Sequence, residues 1–342
     1  MTRLVVVADD LTGALDASAP FAVRGLATVV ALGPADLGAA LASGAAVVGV
    51  STDSREISPD AARQAVADCI AMLPAGVPIF KKVDSRLKGN IEAELDAIPF
   101  RRALVVPAIP AFGRWMRNGR LDGFGVAQPI DIAARLGRHA TGATIPDIDE
   151  QDDIDRALAT VAHDLPVGAR GLAEALAKRL APIAAAPPLP PISEPVLCVI
   201  GSTDPITARQ VERLRAAMDV TYIPAPDGEA PAHLPPLRGP TVLHATRGSG
   251  ATPAAVARRL GESVVRLAPS AGATLVLSGG ATAQAVLRAL GIGILALAGE
   301  AMPGVPIARA GGFTIITKSG GFGTPDALLR LLGHLGEPER GT

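Results

Sequence analysis

The stretch VVVADDLTGA, residues 5 to 14, joins two unlike features. A short apolar run from Val5 to Ala8 leads directly into adjacent carboxylates at Asp9 and Asp10, and a Thr12-Gly13 turn follows. A continuous apolar strand is typical of a parallel sheet that is covered on both faces. Ligands of such sheets bind beyond the carboxyl ends of the strands. The stretch therefore predicts a buried strand with a ligand-binding edge directly after it.

Similar apolar runs recur along the chain and indicate its fold class. Stretches with helical spacing separate several of them, as from Pro59 to Leu73. Strands that alternate with helices are typical of an α/β fold with a mostly parallel sheet between helical layers. The runs are LVVVA (4–8), ATVVAL (27–32), AAVVGV (45–50), PIFKKV (78–83), ALVVPA (103–108), VLCVI (196–200), VTYIP (220–224), TVLHA (241–245), TLVLS (274–278), GILALA (293–298) and FTIITK (313–318).

Chain length and one proline-rich segment predict two domains. The 342 residues exceed the size at which a single hydrophobic core usually stops growing. The strand and helix rhythm stops in LAPIAAAPPLPPISEP, residues 180–195, where the prolines favour an extended, semi-rigid chain. We expect an N-terminal domain at 1–185, a linker at 186–195 and a C-terminal domain at 196–342. Both are predicted to be three-layer α/β domains with mostly parallel sheets, and the ligand cleft is expected between them.

The composition argues against several classes of partner. Lys and Arg number 32 against 33 Asp and Glu, so no excess charge favours nucleic acid or an anionic membrane. The two cysteines, Cys69 and Cys198, lack metal-ligand spacing. The apolar start is too short for a secretory signal, and Gln284 and Arg288 interrupt the most apolar later region, residues 271–299. We therefore expect a cytoplasmic protein that binds a small molecule.

Polar residues follow the apolar runs of the first half. They include STDSRE (51–56), KKVDSRLKGN (81–90) and PAIPAFGRWMRNG (107–119). Cations suit a carboxylate or a phosphate, whereas carboxylates and hydroxyls suit a polyol. A hydroxylated acid would satisfy both sets.

A purely structural interpretation of the charged run 81–90 is also open. Its charges would face solvent, and Asp84 or Ser85 would cap a helix that begins at Ile91. We favour a functional interpretation because several predicted strand ends share the same polar chemistry.

Glycine-rich loops follow the apolar runs of the second half. They are GSTDPITARQ (201–210), ATRGSGAT (245–252), SGGATAQAV (278–286) and TKSGGFGTPDAL (317–328). Glycine lets backbone amides approach phosphate oxygens at a helix N-terminus, although glycine in strand-to-helix turns is also ordinary. The chain contains neither G-x-x-x-x-G-K-[ST] nor G-x-G-x-x-G, which argues against a Walker-type NTPase and a standard dinucleotide fold.

In these motifs the chain resembles the four-carbon acid sugar kinase family, long catalogued as a domain of unknown function. The resemblance implies a two-domain α/β kinase whose N-terminal domain binds threonate, erythronate or a 3-oxo-tetronate. The C-terminal domain would bind ATP with Mg²⁺, and the product would be phosphorylated at the 4-hydroxyl. The motifs are ADDLTGA (8–14), KKVDSRLKGN (81–90), PAIPAFGR (107–114), GLAEAL (171–176), GSTDPITARQ (201–210), SGGATAQAV (278–286), PGVP (303–306) and KSGGFG (318–323).

The resemblance also implies two sets of binding residues. Asp10 and Asp84 are the candidates for the catalytic base, with Asp9 a further choice. Since neighbouring strand residues point to opposite faces, one of Asp9 and Asp10 is expected to face the substrate and the other to cap the Thr12-Gly13 turn. The substrate-binding set is Asp9, Asp10, Thr12, Lys82, Asp84, Ser85, Arg86, Lys88 and Arg114. The nucleotide-binding set is Gly201, Ser202, Ser278, Gly279, Gly280, Thr282, Lys318, Gly320 and Gly321, and no metal ligand is assigned.

Two departures from the family pattern leave alternatives open. The family usually reads D-S-T-L-R-G-N, whereas here Arg86 comes two positions earlier and Lys88 takes the place of the arginine. Ala281 follows the two glycines where the family usually has an acid. The first alternative is a non-catalytic or regulatory homologue that binds the same ligands. The second is a hydrolase or aldolase that uses the Asp pair with a metal, and a homo-oligomer is compatible with all three interpretations.

Overall fold

The computed structural model describes residues 1–333 and divides the chain into two compact units. The first unit runs from Met1 to Pro187, and the second begins at Pro188. In each unit the main strands pair mostly in parallel and are packed against helices, which confirms the predicted α/β fold class.

The first unit is centred on strand β1 (Leu4–Ala8), which is completely apolar and buried. All pairings within its sheet are parallel, in the order β2-β3-β1-β4-β10-β5-β9. The remaining strands of this sheet are β2 (Thr28–Ala31), β3 (Val47–Ser51), β4 (Ile79–Lys82), β5 (Ala103–Val106), β9 (Ala143–Thr144) and β10 (Leu165–Gly168). The helices are α1 (Leu11–Val23), α2 (Pro34–Ala42), α3 (Pro59–Ala71), α4 (Ile91–Leu95), α5 (Ile132–Leu136), α6 (Gln151–Thr160) and α7 (Arg170–Leu180).

A small antiparallel sheet also belongs to the first unit. It consists of β6 (Arg114–Arg117), β7 (Arg120–Gly123) and β8 (Ile130–Asp131). The chain enters it through Gly113, whose φ of 69° lies in the left-handed region that favours glycine. These strands are short and charged, so their sequence does not show the apolar pattern by which the main strands were predicted. Arg114 thus begins a strand of its own.

The second unit has the strand order β12-β13-β11-β14-β17-β16-β15. Only β16 runs antiparallel to its neighbours in this sheet. The strands are β11 (Val196–Ile200), β12 (Thr221–Pro226), β13 (Thr241–Thr246), β14 (Thr274–Ser278), β15 (Ile294–Met302), β16 (Val305–Ala310) and β17 (Phe313–Lys318). The helices are α8 (Pro205–Ala217), α9 (Pro253–Leu267), α10 (Gly280–Ala289) and α11 (Ala327–Gly333).

The core of the second unit lies where the apolar runs were predicted to form strands. Strands β11, β14 and β17 cover the same residues as the runs VLCVI, TLVLS and FTIITK. Cys198 in β11 is fully buried, and this burial raises the pKa of its thiol to about 12. Within residues 1–333, no helix is both long and apolar enough to cross a membrane.

Candidate active site

The register of the first sheet brings three polar segments together at its carboxyl edge. Ala8, the last residue of β1, pairs with Ser51 of β3 on one side and with Lys82 of β4 on the other. The residues that follow these three strands therefore emerge side by side. They are the Asp9-Asp10 pair, the loop 52–56 and the turn that contains Asp84.

Arg55 lies at the centre of this edge and binds both adjacent carboxylates. Its Nε donates to Asp9 Oδ2 at 2.7 Å, and its Nη2 donates to Asp9 Oδ1 at 3.0 Å. Its Nη1 and Nη2 also donate to the Asp10 oxygens at 2.9 and 2.8 Å. A planar guanidinium is suited to such paired contacts. The two like charges are thus held together by one cation.

The ionisation of Asp9 follows from this pairing. Asp9 is 2% exposed, and burial alone would raise its pKa. The hydrogen bonds and charge of Arg55, with smaller contributions from Lys82 and Lys81, lower the pKa of Asp9 below its usual value. Asp9 is therefore a carboxylate at neutral pH, and its oxygens are occupied by Arg55.

Asp10 caps helix α1. Its Oδ1 accepts the Gly13 backbone amide at 2.8 Å, and its Oδ2 accepts the Thr12 hydroxyl at 2.7 Å. A Cβ on Gly13 would lie 2.5 Å from Asp10 Oδ1 and 3.1 Å from Lys82 Nζ, so this position has no room for a side chain. With the Arg55 bonds, both oxygens of Asp10 are engaged.

Asp84 differs because one of its oxygens has no hydrogen bond within residues 1–333. Its Oδ1 accepts the backbone amides of Arg86 and Lys88 at 2.9 and 3.3 Å. Its Oδ2 faces Arg55 Nη2 at 3.7 Å, and the side chain is 14% exposed. Among the three carboxylates around Arg55, Asp84 therefore retains an acceptor for a ligand.

The structural interpretation of the run 81–90 expected Asp84 or Ser85 to cap the helix that begins at Ile91, and this part of it is wrong. Helix α4 does begin at Ile91, but Asn90 occupies its N-cap position. The Asp84 carboxylate accepts the Arg86 amide within the turn that follows β4, and the Ser85 hydroxyl oxygen accepts a hydrogen bond from Arg114. Neither residue caps the helix.

The predicted cations divide into buried and exposed groups. Lys82 is 3% exposed, and its Nζ donates to the Val83 carbonyl at 2.6 Å. Arg114 is 8% exposed and donates to Ser85 Oγ at 2.8 Å; burial and the nearby Arg86 lower its pKa. The side chains of Arg86 and Lys88 are exposed. Arg114 thus ties the small antiparallel sheet to the Asp84 turn.

A second polar edge is formed by the glycine loops of the second unit. Ile200 pairs with Ser278, and Ser278 pairs with Lys318, so the loops after β11, β14 and β17 lie side by side. A Cβ on Gly201 would collide with Thr282 Oγ1, and one on Gly320 would collide with Ser202 Oγ. These glycines are required for the close approach of the three loops.

Helix α10 offers an uncapped N-terminus at this edge. Its N-cap residue is Gly279, with a φ of 103°, and no side chain caps the helix. The Oγ atom of the adjacent Ser278 is buried without a hydrogen-bond partner in the described part of the chain. Free helix amides and an unpaired hydroxyl suit a phosphate group. Ala281 leaves the first turn of α10 without an acid.

Lys318 shapes the loop that follows β17. It is 2% exposed, and its Nζ donates to the carbonyls of Ser319, Gly320 and Phe322 at 2.9, 3.1 and 3.2 Å. Burial lowers the pKa of Lys318 to about 8, and the charge of Asp204 opposes this shift. The loop after β17 therefore folds around the buried ammonium group of Lys318, which binds three of its carbonyl oxygens.

The loop after β13 is organised by a carboxylate of the chain itself. Asp227 accepts hydrogen bonds from Ser249 Oγ and the Gly250 amide, both at 3.0 Å. Burial alone would raise the pKa of Asp227, but the Ser249 hydroxyl and the backbone amides of this loop lower it. Because Asp227 already occupies these donors, the loop 245–252 is less available to a phosphate than the other three.

The metal-ligand chemistry of the described residues is sparse. Within residues 1–333, no group of three His, Cys, Asp or Glu side chains is placed to hold a metal ion. Asp204 caps α8 through Oδ1, which accepts the Ile206 amide at 2.8 Å. Its Oδ2 would lie 2.7 Å from a Cβ on Gly321, so it faces the loop after β17. In phosphoryl-transfer sites, Mg²⁺ is usually held by one or two carboxylates together with the substrate phosphates. Asp204 fits that requirement.

Comparisons with known proteins place the chain in a family. A sugar-binding N-terminal domain model matches residues 4–131, and a nucleotide-binding C-terminal domain model matches residues 236–328. A D-threonate kinase from Bordetella bronchiseptica is 32% identical, with 95% of both chains covered. The chain belongs to the four-carbon acid sugar kinase family.

Other members of the four-carbon acid sugar kinase family give the same result. A D-threonate kinase from Cupriavidus necator is 32% identical over 95% of this chain and 96% of its own length. A 3-oxo-tetronate kinase from Methylobacterium radiotolerans is 28% identical over 95% of this chain and 97% of its own. A solved Salmonella typhimurium structure described as a putative tRNA synthase shares the fold, with a TM-score of 0.72 and 19% identity over 96% of this chain and 98% of its own.

Arg55 is the residue that sequence reasoning left out of the binding set. It lies in the polar segment 51–56 after β3 and was counted among the strand-end cations that suit a carboxylate or a phosphate, but it was not included among the substrate-binding residues. The available signal was a cation directly after a strand that neighbours β1. For this sugar-acid kinase, the register between β1 and β3 is what brings Arg55 to the Asp pair.

Proposed function

We propose that this protein transfers the γ-phosphoryl group of ATP to the 4-hydroxyl of a four-carbon sugar acid. The observation that carries the proposal is the carboxyl edge of the first sheet, where Arg55 binds both Asp9 and Asp10 and where Asp84 Oδ2 accepts no hydrogen bond within residues 1–333. A free carboxylate oxygen beside fixed charges is suited to receive a hydroxyl proton. The domain 1–185 would hold the sugar acid, and the domain from 196 would hold ATP.

The proposed reaction requires mainly positioning and charge neutralisation. The substrate hydroxyl oxygen attacks the γ-phosphorus, the bond from that phosphorus to the bridging oxygen breaks, and ADP leaves. Asp84 accepts the hydroxyl proton as the new bond forms, and Asp10 remains the second candidate. Asp84 is preferred because both Asp10 oxygens already accept hydrogen bonds.

The cations of the first unit would recognise the carboxylate of the substrate. Arg114 has a rigid guanidinium fork near the Asp84 turn, and Arg86 and Lys88 present exposed charges there. The ammonium group of Lys82 lies close to Gly13, where a Cβ would also approach an oxygen of each carboxylate of the Asp pair. Thr12 and Ser85 supply hydroxyls at the same edge. This mixture of cations, carboxylates and hydroxyls suits a hydroxylated acid.

The nucleotide phosphates would be held by the loops after β11, β14 and β17. The amides of Gly280 and the start of α10 can donate to phosphate oxygens, together with the hydroxyls of Ser202 and Ser278. The Gly279 amide donates to the Lys318 carbonyl at 2.9 Å, so Gly279 would shape the turn before α10. Mg²⁺, when bound, supplies neutralisation of the phosphate charge, and Asp204 is the residue that would hold it. Lys318, Gly320 and Gly321 would set the shape of the phosphate loop.

A panel assay tests this proposal and its substrate. D-threonate, D-erythronate and a 3-oxo-tetronate are the substrates named for relatives of the chain. We expect ADP release with Mg-ATP to depend on one of these acids, and we expect longer and shorter sugar acids to give much lower rates. ADP formation that does not depend on any four-carbon acid would contradict the proposal.

A non-catalytic homologue is the second candidate, and Ala281 is the observation that favours it. The first turn of α10 carries no acid that could help to orient a nucleotide or a metal. In that case the protein would bind the acid and ATP without releasing ADP. The same panel distinguishes the two, since binding without turnover is seen as a thermal shift in the absence of ADP formation.

A further inference from the structure

A buried ion pair lies beneath the carboxyl edge of the first sheet. Lys81 in β4 is 0% exposed, and its Nζ is 2.7 Å from Glu94 Oε2 in α4, which is 1% exposed. Lys81 also donates to the Lys82 carbonyl at 3.0 Å. Neighbouring residues of a strand point to opposite faces, so Lys81 and Lys82 serve different sides of the sheet. The run KKVDSRLKGN (81–90) therefore contains one lysine, Lys81, that lies away from the proposed ligand site.

The other oxygen of Glu94 is bonded to the loop that carries Arg55. Ser54 Oγ donates to Glu94 Oε1 at 2.5 Å, and Ser54 is 0% exposed. Thr52 Oγ1 lies 2.6 Å from Ser54 Oγ and donates to the Ala8 carbonyl at 3.0 Å. The chain of bonds thus runs from the ion pair to the end of β1.

The backbone of the same loop is hydrogen-bonded directly to the end of β1 and to Asp9. The Ser54 amide donates to the Asp9 carbonyl at 2.9 Å, and the Thr52 amide donates to the Ala8 carbonyl at 2.8 Å. On the other side, Asn90 Nδ2 donates to the carbonyls of Ser54 and Ile57 at 2.9 and 2.8 Å. Any displacement of Ser54 therefore moves the backbone next to Arg55.

We propose that the Lys81–Glu94 pair is a positioning device for the sugar-acid site, which acts through Ser54 to hold Arg55 against Asp9, Asp10 and Asp84. The inference rests on the proposed function for its effect on turnover. A buried ion pair is a costly way to stabilise a core, because apolar residues of similar volume often serve equally well. Here the pair has a second use, since Glu94 offers Ser54 a charged acceptor in a fixed place.

The test compares two buried serines of the first unit. Ser54→Ala removes the hydroxyl that joins Glu94 to the loop but leaves the Lys81–Glu94 pair intact. Ser18→Ala is the matched control, because Ser18 is also 0% exposed and its Oγ has no hydrogen-bond partner among the described residues. We expect amide hydrogen exchange of residues 52–55 to be roughly tenfold faster in Ser54→Ala than in wild type. We expect kcat/KM for the sugar acid to fall roughly tenfold, with ATP affinity unchanged.

A double variant separates positioning from stability. Lys81→Met with Glu94→Leu replaces both charges by apolar side chains, so neither is left buried alone. We expect this variant to fold and still to show the faster exchange and lower kcat/KM, because Ser54 has lost its acceptor. Wild-type exchange and turnover in the double variant would show that the pair serves stability only, and would overturn the proposal.

The outcomes also separate this inference from the proposed function. If wild type turns over and Ser54→Ala behaves like Ser18→Ala in exchange and kinetics, the positioning role is overturned while the kinase stands. If wild type phosphorylates no four-carbon acid, the proposed function fails, and the exchange of residues 52–55 alone decides the inference. Unchanged exchange in Ser54→Ala overturns it in either case.

Discussion

Arg55 determines the chemistry of the two adjacent carboxylates at the residue scale. Asp9 and Asp10 would repel each other at the end of β1, but the guanidinium bonds both of them. Asp10 is committed to the cap of α1, and Asp9 is committed to Arg55. The third carboxylate is Asp84, whose Oδ2 faces Arg55 at 3.7 Å and accepts no hydrogen bond within residues 1–333.

Substitution of Arg55 is expected to show how much of the fold depends on this cation. Arg55→Met leaves the 2%-exposed Asp9 carboxylate without its guanidinium partner, and we expect a loss of about 3 kcal/mol in unfolding free energy near neutral pH. The measurement is urea denaturation. Arg156→Met is the control, because the Arg156–Asp153 pair is exposed on the arginine side and should contribute less than about 1 kcal/mol.

The pH dependence of that loss follows from the pKa of Asp9. Its pKa is lowered in the folded protein, so its contribution to stability is present above the ordinary value of about 3.9 and is lost as pH falls through the lowered value. In Arg55→Met the desolvation of Asp9 would instead raise its pKa. The difference between wild type and variant should therefore be largest above about pH 5 and should narrow below about pH 4. A difference that is constant with pH would contradict the assigned pairing.

The glycine loops act at the element scale by letting three strand ends approach one another. Gly201 contacts the Thr282 side chain, and Gly320 contacts the Ser202 side chain, without space for a Cβ on either glycine. The loop after β13 belongs to the same sheet edge but is held by Asp227. Glycine content alone therefore does not identify which loops are open to phosphate.

Two glycine variants of the second unit test whether the loop after β17 belongs to the nucleotide site. Gly320→Ala places a methyl group against Ser202 Oγ, and we expect ATP affinity to fall roughly tenfold while sugar-acid affinity is retained. Gly239→Ala is the control, since no heavy atom lies within 4 Å of a Cβ there. Isothermal titration with each ligand measures both effects. Equal ATP affinity in the two variants would remove the loop after β17 from the nucleotide site.

Elements with a continuous apolar pattern could be predicted from the sequence, and the others could not. Strands β11, β14 and β17 are short, largely buried runs built around Val, Ile and Leu, and their bounds coincide with the runs predicted from the sequence. Strands β6 and β7 are four residues each and carry charged side chains, so their sequences contain no continuous apolar run. The rule that ligands bind beyond strand ends selected Asp84, which lies just after β4, whereas Arg114 begins β6 and lies well beyond the end of β5. The central place of Arg55 depends on the register of β3 against β1. That register is a long-range contact that no local motif specifies.

At the scale of the whole molecule, each compact unit carries one polar edge. The first presents carboxylates and cations, and the second presents glycine loops and a helix N-terminus without a side-chain cap. Membership of the four-carbon acid sugar kinase family is consistent with both. Ala281 leaves the first turn of α10, at the second of these edges, without an acid.

The most direct test of the central claim is phosphorus NMR of the product formed from Mg-ATP and the best four-carbon acid. Wild type should give ADP and a phosphomonoester on the 4-hydroxyl in equal amounts. Asp84→Asn should bind ATP as wild type does but should lose nearly all transfer, because the hydroxyl proton has no acceptor. Binding of both ligands by wild type with no phosphomonoester, or undiminished transfer by Asp84→Asn, would contradict the account.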